Sequence, residues 1–255
     1  LVIMSETSIL YSMDFNHLAQ THQKSGADIT AVYTRQLNGH PTVPMGVCIL
    51  KFDDQNMLYD LTINKDDMSE QEVCWSTGVF VIKKSLMESL VADAMAYGKY
   101  DFCEDIIKRL SGSLKIKGYE YTGHLLEVSS VAGYMKANMN FLNPYFREKA
   151  FQRPIYTKSK DGVPARYFDG CKVNNSIISD GCRIEGTVEN SVISRNVTIG
   201  KGAVVRNSVI MQNTEIMRGV SLEHVILDKD VIVRENRELT GHVTYPVVVE
   251  KASII

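Results

Sequence analysis

A four-residue pattern in the last third of the chain constrains its fold more than any other feature of the sequence. It occurs as Asn175-Ser176-Ile177-Ile178, Asn190-Ser191-Val192-Ile193 and Asn207-Ser208-Val209-Ile210, with a degenerate copy at Glu223-His224-Val225-Ile226. Successive copies are 15, 17 and 16 residues apart. Three flat faces of about six residues make one triangular coil, and coils must stack to bury their apolar side. The spacing therefore predicts a left-handed parallel β-helix of hexapeptide repeats.

Short units between these copies have the same character. Each carries a small or β-branched residue for the interior, as in Gly181–Ile184, Asn196–Ile199 and Gly202–Val205. Their Asn, Asp and Gly residues suit corners that require a positive φ. The alternative is an ordinary β-sandwich with chance repeats, and four copies in phase disfavour it.

The first half has a different rhythm, in which strand patterns alternate with helix patterns. We predict strands at Leu1–Met4, Ile29–Tyr33, Val79–Ile82, Leu114–Tyr119 and Leu125–Val128, and a hairpin of Met45–Phe52 with Met57–Leu61. We predict helices at Phe15–Lys24, Lys84–Tyr97, Asp101–Leu110 and Ser130–Leu142. Asp14 is the expected N-cap of the first helix, and Gly26 its C-terminal stop. This order predicts a Rossmann-like α/β domain with a mainly parallel sheet.

The two rhythms define the predicted domains. The α/β domain covers residues 1–142, a polar, proline-containing linker covers 143–167, and the β-helix covers 168–255. The chain opens on an apolar run without an initiator methionine, which suggests a strand already under way. We therefore expect the natural α/β domain to have further residues upstream of Leu1, so that the domain seen here is truncated.

Charge and cysteine usage narrow the functional classes. The net charge is −2 and no long basic or apolar run occurs, so the sequence favours neither nucleic acid nor a membrane as a partner. The five cysteines form no CxxC pair, which is typical of reduced thiols in a cytoplasmic protein.

Two functions that occur on hexapeptide β-helices require histidines. Acyltransferases need a histidine base and trimeric zinc enzymes need three histidine ligands. The repeat region contains only His224, with His242 just beyond it. His224 stands where the other copies carry Ser, which favours a corner or surface role. The β-helix is thus expected to be a scaffold for assembly or regulation.

Several motifs, taken in order, carry a family resemblance. They are Tyr11–Phe15 (YSMDF), Trp75–Phe80 (WSTGVF), Tyr100–Ile106 (YDFCEDI), Tyr134–Met139 (YMKANM) and Glu189–Ile193 (ENSVI). With the β-helix, they resemble ADP-glucose pyrophosphorylase (glucose-1-phosphate adenylyltransferase), and its regulatory (GlgD-type) subunit more than its catalytic one. The resemblance spans essentially the whole chain.

The resemblance implies a reaction and a set of partners. The family joins ATP and glucose 1-phosphate into ADP-glucose and pyrophosphate with Mg²⁺, a step that depends on positioning and charge neutralisation. It implies a catalytic homologous subunit in a heterotetramer, or a homo-oligomer. The family's Gly-rich basic phosphate loop is not in this sequence and would lie upstream of Leu1.

Three family positions are altered in this chain. The metal-binding Asp that precedes Tyr11–Phe15 falls on Ser8, and Glu6 is the nearest carboxylate. The Glu-Lys-Pro motif whose Lys grips the sugar phosphate is absent, with Lys65 close by. Glu127 replaces the second metal-binding Asp and keeps a carboxylate that could hold a metal. We expect Mg²⁺, implied by the resemblance alone, not to bind this fragment.

Two residues match family positions around the sugar, namely Ser76 and Asp101. From the sequence alone, Ser76 is equally a turn residue and Asp101 equally a helix N-cap. The main hypothesis is a regulatory, largely non-catalytic subunit in glycogen biosynthesis. The alternatives are an active sugar-1-phosphate nucleotidyltransferase that uses Glu6, Lys65 and Glu127, and an assembly or binding module without a nucleotide site.

Overall fold

The computed structural model describes residues 1–35, 42–43, 46–65, 68–69, 73–157 and 160–255. The chain forms two compact units, Leu1–Leu125 and Leu126–Ile255. The predicted hairpin strand from Met45 begins outside the described residues, and its described part starts at Cys48. Among the described helices, none is both long and apolar enough to cross a bilayer.

The first unit combines a sheet with helices, as predicted. Its strands are β1 (Val2–Ser5), β2 (Ile9–Tyr11), β3 (Ile29–Thr34), β4 (Thr42–Val43), β5 (Cys48–Phe52), β6 (Leu58–Ile63), β7 (Met68–Ser69), β8 (Cys74–Ile82) and β9 (Ile116–Glu120), with β10 (Leu125–Glu127) at its end. Its helices are α1 (Phe15–Ser25), α2 (Lys84–Ala96) and a π-helical segment (Phe102–Ile107) that continues into the single turn α3 (Lys108–Leu110).

The sheet of this unit is mainly antiparallel, so the predicted parallel sheet is wrong. Its order is β6-β5-β8-β3-β9, with β1 also paired to β8. Strand β8 runs antiparallel to β1, β3 and β5, and only the β3–β9 pair is parallel. Parallel neighbours need a long crossover, usually a helix. The described residues between β3 and β8 contain the strands β4 to β7 and no helix.

Helix α1 begins and ends where the sequence predicts. The Asp14 carboxylate accepts a hydrogen bond from the His17 backbone N–H at 3.0 Å, and Gly26 adopts φ 64° after the last turn. On the buried face of α1, the His22 ring nitrogen Nδ1 lies 2.8 Å from the Thr30 hydroxyl of β3. Burial, followed by the nearby Lys83 charge, lowers the pKa of His22.

The second unit begins with a helix that packs on the β-helix. Helix α4 (Val131–Asn140) is followed by α5 (Pro144–Ala150), which lies inside the predicted linker. In a separate apolar cluster, Met135 of α4 packs with Val209 and Ile226 of the repeats. Through this contact, α4 belongs to the same compact unit as the β-helix.

Three parallel five-stranded sheets form the faces of the β-helix. The first face comprises β11 (Arg166–Tyr167), β14 (Arg183–Ile184), β17 (Thr198–Ile199), β20 (Glu215–Ile216) and β23 (Ile232–Val233). The second comprises β12 (Lys172–Asn174), β15 (Thr187–Glu189), β18 (Val204–Arg206), β21 (Ser221–Glu223) and β24 (Glu238–Thr240). The third comprises β13 (Ile177–Ile178), β16 (Val192–Ile193), β19 (Val209–Ile210), β22 (Val225–Leu227) and β25 (Val247–Val249). The predicted β-helix is confirmed.

The coil register explains the repeat spacing and corrects one predicted alignment. Val209 pairs with Ile226, so His224 follows Asn207 by 17 residues and takes the Asn position of the repeat, not the Ser position. His224 has φ 51°, like Asn190 and Asn207 at 47°. The 15-residue offset arises at the corner between β14 and β15, which has two residues where the next coil has four. At the corner of Asn190, Asn207 and His224, positive φ and not the hydroxyl pattern is the shared feature.

Three serine hydroxyls link four successive coils of the β-helix. The Ser176 hydroxyl accepts from the Ser191 backbone N–H, Ser191 from Ser208, and Ser208 from Val225, each at 3.1 Å. Each hydroxyl also donates to a carbonyl two residues earlier. Because an unpaired buried N–H is costly, the ladder favours one register of the coils.

Candidate functional site

The candidate site in the first unit is built around a bulge in its longest strand. Gly78 lies within β8 at φ 71°, and the β3–β8 register shifts beside it. The buried Ser76 hydroxyl accepts a hydrogen bond from the Gly78 N–H at 3.1 Å. A glycine inside a strand often marks a bulge or a close approach by a ligand or another chain segment.

Glu6 and Ser8 lie at this bulge. Glu6 follows β1, and its N–H donates to the Gly78 carbonyl at 3.2 Å. The Glu6 side chain lies directly over the Gly78 Cα, since a Cβ there would be 2.7 Å from Glu6 Cδ. The Ser8 hydroxyl donates to the Glu6 carboxylate at 3.3 Å. The structure therefore brings Glu6, Ser8 and Ser76 together.

Asp101 is the N-cap of the π-helical segment. Its carboxylate accepts from the Glu104 N–H at 2.7 Å. The negative charge of Asp101 also acts on the buried Cys103 thiol. Contact with Cys48 and burial, helped by the charges of Asp101 and Glu6, raise the pKa of this thiol. The capping role predicted for Asp101 is thus present, and its carboxylate adds to the negative potential around Cys103.

Among the described residues, Lys65 forms no hydrogen bond or ion pair with the bulge. Lys65 is exposed just beyond β6. Glu127 is buried in the second unit, at the end of β10, where its Oε1 accepts from the Ser129 N–H at 3.1 Å. The next residue, Ser130, is the N-cap of α4. Glu127 thus makes a local contact at the start of α4.

Of the two metal-binding carboxylates that the family resemblance implies, this chain keeps one, at Glu127, and has a hydroxyl at the other position, Ser8. Mg²⁺ requires near-octahedral oxygen ligands, and proteins usually supply carboxylates. Position 8 offers a hydroxyl that is bonded to Glu6, and Glu127 is bonded to the backbone. Throughout the described ranges, no group of three His, Cys, Asp or Glu side chains could hold a metal ion.

His224 in the β-helix and His242 just beyond the repeats occupy a corner and a loop, respectively. His224 occupies a corner at φ 51°, which supports the predicted corner position. The His242 ring nitrogen Nδ1 lies 2.9 Å from the Thr244 hydroxyl, in a loop whose ends His242 and Tyr245 pair with each other. The five cysteines are free thiols, in agreement with the sequence prediction.

An α/β unit followed by a hexapeptide-repeat β-helix is the architecture of a nucleotidyltransferase-like class of protein. Comparison with known proteins agrees. The family model described as GlmU-like, C-terminal hexapeptide matches residues 164–242. The chain is 30% identical over 254 residues to the glycogen biosynthesis protein GlgD of Bacillus subtilis, covering 99% of this chain and 63% of that protein.

Two further relatives point to the same family. A glucose-1-phosphate adenylyltransferase of Thermosipho africanus is 30% identical over 209 residues, covering 80% of this chain and 50% of that enzyme. The GlgD protein of Geobacillus stearothermophilus is 42% identical over 132 residues, covering 51% and 38% of the two chains. The chain thus spans less than two thirds of these relatives, and it belongs to the glucose-1-phosphate adenylyltransferase family, which includes the GlgD proteins.

Proposed function

We propose that this protein is a regulatory, largely non-catalytic subunit of the glycogen-synthesis enzyme that makes ADP-glucose and pyrophosphate from ATP and glucose 1-phosphate. The observation that carries the proposal is Ser8. A hydroxyl stands at the position where the family resemblance implies a metal-binding carboxylate, and this hydroxyl is bonded to Glu6.

The physical consequence of this replacement is large. Phosphoryl chemistry develops charge on oxygen, and a metal held by two carboxylates neutralises it. Loss of one carboxylate is expected to raise the barrier by several kcal/mol, which is on the order of a hundredfold or more in rate. The absence of the Glu-Lys-Pro motif before Lys65 removes a cation for the sugar phosphate as well.

A regulatory role requires a partner. We infer that the partner is a catalytic homologue of this chain in the cytoplasm, joined with it in a heterotetramer. The β-helix supports this inference as a rigid scaffold, because its coils are stacked in register and cross-linked by the serine ladder. ATP, glucose 1-phosphate and Mg²⁺ would then act in the catalytic partner.

Co-assembly tests this proposal. The natural full-length protein would be mixed with the catalytic homologue of the same cell and studied by analytical ultracentrifugation and by ADP-glucose synthesis. We expect a mixed oligomer whose KM or kcat differs at least severalfold from that of the catalytic subunit alone. Unchanged kinetics in a mixture that forms no oligomer would reject the proposal.

A second candidate is an active nucleotidyltransferase, favoured by the buried Glu127 carboxylate at the end of β10. In that case Glu127→Gln would abolish turnover by the full-length protein. A matched control is Glu104→Gln, which removes a carboxylate from the first turn of the π-helical segment. Equal, low turnover by both variants and the wild type would favour the regulatory role.

A further inference from the structure

The side chain that covers the β8 bulge is an acidic one, and its position is fixed by the backbone. Strand β1 pairs antiparallel with β8 as far as Ser5 and Val79. Glu6 extends this pairing through its N–H bond to the Gly78 carbonyl. The backbone therefore holds the Glu6 Cα beside Gly78.

The contact between the two residues is close along the whole Glu6 side chain. A Cβ on residue 78 would lie 2.7 Å from both Glu6 Cδ and Cγ, and 2.8 Å from Glu6 Cβ. A side chain on residue 78 would require the Glu6 side chain to move, and φ 71° favours glycine independently. The open face that a glycine creates in a strand is thus filled by the chain's own carboxylate.

The charges around the bulge are unfavourable for an anion. Glu6 is exposed, and its described side-chain hydrogen bond comes from the uncharged Ser8 hydroxyl. No Lys or Arg forms an ion pair with Glu6 within the part of the chain that the structure describes. The nearest charge to the bulge is therefore the negative charge of Glu6 itself. A phosphorylated ligand would therefore meet both an occupied volume and a like charge.

We propose that Glu6 is a specificity-determining residue that closes the Ser76–Gly78 bulge to phosphorylated sugars. This inference rests on the proposed function, since it treats the bulge as the remnant of a sugar-phosphate subsite. Two effects contribute, namely the volume of the side chain and its charge. The two effects can be separated, because Glu6→Gln keeps the volume and removes the charge, whereas Glu6→Ala removes the volume and the charge.

Calorimetric titration of the full-length protein with glucose 1-phosphate tests the proposal. We expect Glu6→Ala to bind at least tenfold more tightly than the wild type, and Glu6→Gln to show a smaller gain from the loss of charge. Glu88→Gln is the matched control, because Glu88 is an exposed acidic residue on α2 that pairs with Lys84. This control should bind like the wild type.

Three results would overturn the proposal. They are tight binding by the wild type, no gain in folded Glu6→Ala or Glu6→Gln, and an equal gain in Glu88→Gln. Circular dichroism would establish folding, and Glu6→Gln serves if the alanine variant does not fold. The result is distinguishable from the proposed function, because a protein that failed to affect a catalytic partner could still show the Glu6 binding difference.

Discussion

The two units differ in how their sequences encode them. In the β-helix, each structural position is repeated in successive coils, so interior residues, corners and buried hydroxyls recur in register. In the α/β unit, each feature occurs once, as with the Asp14 cap or the Gly78 bulge. Repetition lets one atypical corner residue, His224, stand in the β-helix while the register of the coils continues. A single substitution in the α/β unit can change its chemistry.

The largest expected effect is in the β-helix interior. Ile199 is fully buried, whereas its neighbour Thr198 points outward on the same strand. We expect Ile199→Ala to lower the free energy of unfolding by about 2–5 kcal/mol, because it removes buried methyl groups and leaves a cavity. Thr198→Ala is the control and should change it by roughly 0.5 kcal/mol or less. Equal losses of unfolding free energy in the two variants, measured by urea unfolding, would contradict the assignment of Ile199 to the interior and Thr198 to the exterior.

The serine ladder gives the next largest effect. Ser208→Ala leaves the Val225 N–H without its partner at 3.1 Å in a buried coil. We expect a loss of about 1–3 kcal/mol and faster amide exchange at Val225. Ser221→Ala, on the outer side of the neighbouring face, is the control. Unchanged exchange at Val225 would show that the ladder does not stabilise the coils.

The α/β unit should show a pH response that comes from His22. Its folded-state pKa lies below the ordinary value of 6.5, mainly because of burial. The unfolded chain therefore binds the proton more readily, and stability is lost as pH falls below about 6.5. Unfolding free energies measured between pH 7.5 and 5.5 should decrease for the wild type and decrease less for His22→Gln. Parallel curves would exclude His22 as the source.

The smallest expected effect is a gain in stability from a substitution at His224. His224 occupies a corner at φ 51° where the two preceding coils have Asn. Asn tolerates this region better than most residues. We expect His224→Asn to raise the free energy of unfolding by a few tenths to about 1 kcal/mol. Thermal unfolding would measure this gain, and a loss of stability would indicate that the imidazole makes a contact of its own.

The sequence predicted those features that are set by local rules or by repetition. The Asp14 and Asp101 caps, the Gly26 stop and the stacked coils follow from such rules. The antiparallel pairing of the sheet does not follow from such rules, because the alternation of strands and helices does not determine which strands pair. The π-helical segment also has no distinct local pattern in the sequence.

The sequence contains a signal for the position of α4 against the β-helix. The third face carries two adjacent apolar residues in each short strand, as in Val192-Ile193 and Val209-Ile210. A strand that is apolar on both sides is expected to be covered on both sides. Ile210 faces the interior of the coils, and Val209 packs with Met135 of α4. The other two faces present mostly polar residues outward.

The candidate site was only partly predictable from the sequence. The family motifs placed Ser76, Ser8 and Glu6 in the region of interest, and the structure brings these three together. The overlap of Glu6 with Gly78 depends on the register of β1 against β8, which no local motif encodes. The local contacts of Glu127 likewise depend on how the chain enters α4.

Turnover by the full-length protein without any partner tests the central claim most directly. ADP-glucose formation would be measured with saturating ATP, glucose 1-phosphate and Mg²⁺, beside the catalytic homologue as a standard. The account predicts at most about one hundredth of the standard's kcat, since a carboxylate is missing at Ser8. A kcat within tenfold of the standard would contradict it.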